Sequence, residues 1–106
     1  MTIVEWLAGR APEPPLRLRT RINEVLASRR ASSDSEVATC CMDAACELLG
    51  SLVERPEAGR EAALDLLTVD ALVTYAFEAL AGDPQRLGRF ARESMQRLAA
   101  VAPLPT

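Results

Sequence analysis

The chain has 106 residues, 49% hydrophobic but only 4% aromatic, enough for one domain whose core closes without disulfides or metals. A net charge of −3 and a pI of about 4.9 argue against the strongly basic footprint of a general nucleic-acid binder. Alanine (18) and leucine (15) outnumber the β-branched residues, which favours helices and leaves no segment that reads as a strand.

Thr2 and Glu5 have capping-box spacing, so a first helix is predicted over residues 3–9, presenting Ile3, Val4, Trp6 and Leu7. The opening MTIVEWLAGR has neither a basic n-region nor a long apolar stretch, so it reads neither as a signal peptide nor as a membrane span. No apolar run elsewhere reaches bilayer-spanning length. Pro12, Pro14 and Pro15 then interrupt the chain, and a second helix is predicted over 15–29 with Leu18, Ile22, Val25 and Leu26 inward. Arg17 and Arg21 share a face of it, Arg19 does not, and no aromatic residues interleave, so binding of single-stranded nucleic acid by stacking is not expected.

Ser33 and Glu36 form a second capping box and open a helix predicted over 34–54. Val37, Cys41, Ala44, Ala45, Leu48, Leu49, Leu52 and Val53 cover about half its circumference, and Glu36, Asp43, Glu47 and Glu54 make the opposite face acidic. The three cysteines do not converge: Cys40 and Cys41 diverge by about 100°, and Cys46 lies about 120° and 140° from them. With no histidine in the chain, neither a metal site nor a cofactor is expected. Cys41 falls on the apolar stripe and reads as a small buried hydrophobe, which leaves Cys40 or Cys46 as the thiol for a redox switch or an intersubunit disulfide. Reduced thiols point to the cytoplasm.

Arg55-Pro56 and Gly59 precede the most apolar segment, a helix predicted over 60–81. Leu64, Leu67, Ala71 and Tyr75 fall on one side of it and Leu66, Val69, Val73, Phe77 and Leu80 on another, leaving only the strip Asp70, Thr74, Glu78 polar. Such a helix needs covering on most of its circumference, by neighbours or by a second subunit. Leu67 is accordingly placed in the packed core, where an aspartate would unfold the domain. Asp65, Asp70 and Glu78 are the carboxylates expected to be partly buried, paired with Arg17 or Arg21 from the second helix or with Arg86 or Arg89 from the last. Left unpaired, Asp70 and Glu78 would be the route to acid–base catalysis, although no catalytic motif accompanies them.

Residues 66–81, LLTVDALVTYAFEALA, resemble a helix of the isoprenyl diphosphate synthases. Those enzymes hold magnesium and diphosphate through two DDxxD motifs. This chain has none, and Asp65 and Asp70 have a different spacing, so what the resemblance implies is an apolar helix with an aspartate in its first half.

In Gly82-Asp83-Pro84, Gly82 suits a left-handed position closing one helix, Asp83 an N-cap and Pro84 the first position of the next. The last helix is predicted over 84–101 with Leu87, Phe90, Ala91, Ser94, Met95, Leu98 and Val101 inward, followed by a frayed tail over 102–106.

These elements predict an all-α fold, an up-and-down four-helix bundle with an additional short N-terminal helix, in a single domain over 1–106. Charge alternates along it: residues 10–30 carry six arginines against two acids, 31–84 eleven acids against two arginines, and 85–106 four arginines against Glu93. The expected function is a cytoplasmic, non-catalytic interaction module, a homodimer or a binder of another protein, with Leu49, Val53, Leu67, Ala71, Tyr75 and Phe77 lining the interface. The alternative is a small apolar or lipid-like ligand held between the third and fourth helices. The Trp6 helix competes for the same surface, since folding back over it would close the core within one chain.

Overall fold

The structure, a computed structural model, describes residues 3–10, 13–55 and 59–101. The predicted cap at Thr2, the breaks at Pro12 and Pro56 and the tail over 102–106 lie outside the described residues. The chain is all-α: α1 (Ile3–Ala8), α2 (Leu16–Leu26), α3 (Asp34–Glu54), α4 (Arg60–Ala79) and α5 (Pro84–Val101), with no strand among the described residues.

Local chemistry accounts for most helix ends. The Ser33 hydroxyl accepts the Glu36 N–H at 3.2 Å, while the Glu36 carboxylate reaches back to the N–H of Ser32, so one donor of the first turn of α3 and one just ahead of its cap are satisfied together. The Asp83 carboxylate likewise accepts the Arg86 N–H at 3.1 Å, with Pro84 in the first position of α5. Gly82 departs from expectation. Among the described residues only Gly59 has a positive φ, 149°, at the start of α4. Helix α4 is closed instead by tight i→i+3 bonds, from Leu80 N–H to Phe77 O and from Ala81 N–H to Glu78 O, which satisfy terminal carbonyls without a left-handed residue. That tightening ends α4 at Ala79 rather than 81. Helix α2 also stops short, at Leu26, where the Arg29 N–H turns back to the Leu26 carbonyl.

Helices α3 and α4 pack against one another along their length and form the centre of the bundle. They run antiparallel: Ser33 to Ser35 share a cavity with Ala79 and Leu80, and Leu49 shares another with Ala63 to Val73. Val37, Ala38, Cys41, Met42, Ala45 and Leu48 of α3 form one core with Val69, Leu72, Ala76 and Ala79 of α4. Thr68 is fully buried in the same core, its hydroxyl donating to the Leu64 carbonyl at 2.8 Å. Helix α2 lies mainly on α4, burying Ile22 and Leu26, and α5 mainly on α3, to which it runs parallel, with Val101 beside Gly50 and Arg97 on Asp43. The smallest dimension of the molecule, 23 Å, is about two helix diameters.

The short N-terminal helix lies on the α2 side. Ile3 and Trp6 are buried, the Ile3 N–H donates to the Arg29 carbonyl at 3.3 Å, and Trp6 meets Tyr75 edge-to-face at 6.5 Å. The Arg10 guanidinium stacks over the Trp6 ring, 4.0 Å from its centre.

Three apolar residues assigned inward are not there. Leu67 is 55% exposed, Met95 56% and Val53 is exposed near the end of α3. Leu67 points away from α3 because the buried arc of α4, Thr68-Leu72-Ala76-Ala79, faces the other way round the helix. Ala38, Met42 and Cys46 are buried instead, so the covered arc of α3 is wider than its leucine stripe.

Leu72 is fully buried, and Leu72→Asp is expected to abolish cooperative folding, whereas Leu67→Asp should keep its helical circular dichroism at 25 °C. Loss of helicity in both variants would mean that α4 is covered on both faces.

Candidate functional site

Two of the four long helices part company in the middle of the molecule. Near their connection α4 and α5 are joined by Phe77 and Phe90, edge-to-face at 5.9 Å, and past that pair they make few contacts because α5 follows α3. The separation leaves an open groove of ≈ 740 Å³ lined by Leu66, Leu67, Val69 and Val73 of α4, Leu49 of α3 and Leu98 of α5, with Ala63 and Asp70 on the α4 rim. Met95 stands one helical turn before Leu98, and Leu66 on the facing wall is 57% exposed. Leu66 and Leu67 thus line one concavity with Met95 one turn from its Leu98, three of the large exposed apolar side chains among the described residues, a concentration that marks interaction surfaces.

The residues picked out from the sequence are distributed over several places. Leu49 and Leu67 line the groove. Phe77 and Ala71 are half-buried, Phe77 against Phe90, and Val53 stands exposed outside it. Tyr75 belongs to the other side of α4, beside Trp6, where a cavity of ≈ 160 Å³ opens between α1 and α2. The two arginines lining that cavity are engaged, Arg19 with Glu13 at 3.1 Å and Arg10 on the Trp6 ring. Helix α1 thus covers the Tyr75 side and leaves the α4–α5 groove open. The groove residues missed from the sequence are Leu66, Val69, Val73 and Leu98, with Ala63 on the rim. For Leu98 the signal was the width of the apolar arc on α5, where Ala91, Met95, Leu98 and Ala99 extend past the buried Ser94, and for the α4 residues it was the apolarity of that helix nearly all round.

Of the expected ion pairs one forms. Arg21 of α2 reaches Asp65 of α4 with Nε at 2.7 Å and a second contact at 3.5 Å, and that hydrogen bond raises the Arg21 pKa. Arg17 borders the same cleft and Glu24 shares Arg21 at 3.3 Å. Asp70 and Glu78, by contrast, are exposed on the outward strip of α4. Neither makes an ion pair among the described residues, and neither do Arg17 or Arg89. The strip faces solvent for the same angular reason that exposes Leu67. Asp70 and Glu78 stand eight residues apart, roughly 12 Å along the helix, and converge on no cleft.

Cys41 and Cys46 are buried, and Cys40 is half-buried with its thiol 3.7 Å from the Arg30 carbonyl. Burial pushes the Cys41 thiol up to about 12, and burial raises Cys40 as well, against a smaller opposing effect of Arg29. Cys40 and Cys41 are therefore held as thiols at neutral pH, an arrangement that suits packing rather than redox chemistry. Among the described residues no group of three or more His, Cys, Asp or Glu side chains is placed to hold a metal ion, and no helix is long and apolar enough to cross a membrane.

Comparison with protein families, curated proteins and solved structures finds no match for this chain. The functional reading therefore rests on the groove and its surroundings.

The raised Cys41 pKa makes stability fall at alkaline pH. Below the ordinary thiol value of 9.0 folded and unfolded chains both keep the proton, and from there to about 12 only the unfolded chain loses it. Urea midpoints measured across that interval should decline, and Cys41→Ala should flatten the decline. An unchanged slope in the variant would assign the alkaline loss to other groups, Tyr75 first, whose pKa burial also raises.

Proposed function

We propose that the protein is a non-catalytic interaction module of the cytoplasm that docks through the apolar groove between α4 and α5, with a second copy of itself as the leading partner. The observation that carries this reading is the gathering of Leu66, Leu67 and Met95, each more than half exposed, around a concavity lined by apolar side chains. Covering them removes apolar surface from water at about 25 cal/mol per Å². The groove is open along its length, so it suits the ridge of a helix better than a small molecule that must be enclosed on most sides. The absence of a catalytic role is supported by the placement of the carboxylates: Asp65 is tied to Arg21, and Asp70 and Glu78 stand apart on an exposed face. The cytoplasm is supported by three unbridged cysteines in one helix.

A second reading draws on the size of the groove. At ≈ 740 Å³ it lies within the usual range for ligand pockets, so a fatty-acyl or similarly apolar ligand would fit between its walls.

Light scattering over a concentration series separates the two. A dimer at micromolar concentration that Leu67→Asp converts to a folded monomer is the expected result. An 11.5 kDa species at every concentration that binds a fluorescent fatty acid at micromolar levels would replace the first reading with the second.

A further inference from the structure

The two walls of the groove carry opposite charge. On α4 the row Leu66, Leu67 is followed one turn later by Asp70, which lines the rim and whose carboxylate makes no hydrogen bond or ion pair among the described residues. On α5 the row Leu98, Met95 is preceded one turn earlier by Arg92, which is exposed and equally unpaired among the described residues. The neighbouring Arg97 points the other way and is held by Asp43 at 2.8 Å. The α4 ridge thus ends in a negative charge at the groove, and the outward face of α5 beside Met95 carries the positive charges Arg92 and Arg89, none of the three paired among the described residues.

We propose that a second copy of this chain closes the groove about a two-fold axis lying along it, so that α4 of each copy rests on α5 of the other and Asp70 of one meets Arg92 of the second. The inference rests on the docking reading above and specifies its partner and register. Symmetry supplies two such pairs. The shape is self-complementary, because the Leu66–Leu67 ridge stands directly beside the groove it would fill in the other copy, which an isologous interface requires. Measured from the Phe77–Phe90 pair, Asp70 lies seven residues back along α4 and Arg92 two residues on along α5. Their heights along the groove differ by roughly 7 Å, a gap that an extended arginine side chain covers. The other two-fold, across the groove, would lay α4 on α4 and bring Asp70 towards Asp70 and Arg92 towards Arg92. Like charges facing one another beside an apolar interface disfavour that arrangement.

Charge reversal tests the register, and both residues are exposed, so the variants should fold. Asp70→Arg alone and Arg92→Asp alone should each weaken self-association at least tenfold in sedimentation velocity at low salt. Mixed in equal amounts the two variants should form a heterodimer, since one of its two symmetry-related pairs then joins the introduced arginine to the introduced aspartate and the other keeps both native partners. The loss should shrink at 0.5 M salt as screening sets in. A dimer that Leu67→Asp dissociates but neither reversal weakens would overturn this two-fold while leaving the docking surface in place. A wild-type chain that stays monomeric up to 100 μM would overturn both.

Discussion

The close packing of α3 on α4 is the constraint from which the rest of the molecule follows. Their shared seam is rich in small residues, Ala38, Ala44 and Ala45 on one helix and Ala76 and Ala79 on the other, so the two backbones approach closely and the larger Val37, Met42, Leu48, Val69 and Leu72 interdigitate between them. With aromatics scarce, no bulky ring occupies this centre. The aromatic residues act at the margins instead: Trp6 on Tyr75 fastens α1, and Phe77 on Phe90 fastens the start of α5. A two-helix hairpin cannot bury both of its broad faces by itself, and the flanking helices divide the work. Helices α1 and α2 cover one side of α4, and α5 covers α3.

That division produces the groove. Helix α5 meets α4 mainly near their short connection, whereas its later turns are held on α3 by Val101 beside Gly50 and by the Arg97–Asp43 bridge. Each of these is individually modest, and an exposed bridge such as Arg97–Asp43 is worth about 0–1 kcal/mol. Together they fix a direction, and the direction diverges from α4. The first two turns of α4 then lack a neighbour on the face that carries Leu66 and Leu67, and no other described element covers them. An apolar surface left by the geometry of the bundle, rather than by a stray leucine, is the basis for reading the groove as a site.

Much of this was legible in the sequence and the remainder was not, for a definable reason. The caps at Ser33 and Asp83 and the prolines report local chemistry, and they located the five helices to within a few residues. Angular order round each helix was also legible, including the polar strip of Asp70, Thr74 and Glu78, although Asp70 and Glu78 were expected to be partly buried and are exposed. What a helical wheel does not contain is the number of neighbours on each side. The all-round apolarity of α4 said that cover was needed, but the same pattern fits a core-facing Leu67 and an exposed one, and only the path of α5 decides between them. The position of the Trp6 helix was undetermined for the same reason, and it lies on the Tyr75 side, away from Leu67. Gly82 shows the complementary limit: a glycine permits a left-handed turn without requiring one, and successive i→i+3 bonds ended α4 first.

Charge follows the same division between positions used within the chain and positions left over. The bridges that cross between elements run from the basic outer segments to the acidic central helices: Arg21 to Asp65, Arg29 to Glu47 and Arg97 to Asp43. Pairing the two outer segments with one another instead would set base against base, so the alternation of charge along the chain disfavours it even though each bridge contributes little. Asp70 and Arg92 stand outside this pattern. Asp70 lines the groove beside Leu66 and Leu67, Arg92 stands one turn from the exposed Met95, and neither has a partner among the described residues. Inside the bundle opposite charges set the register of helices within one chain, and at the groove the same chemistry is available to set the register of whatever closes it.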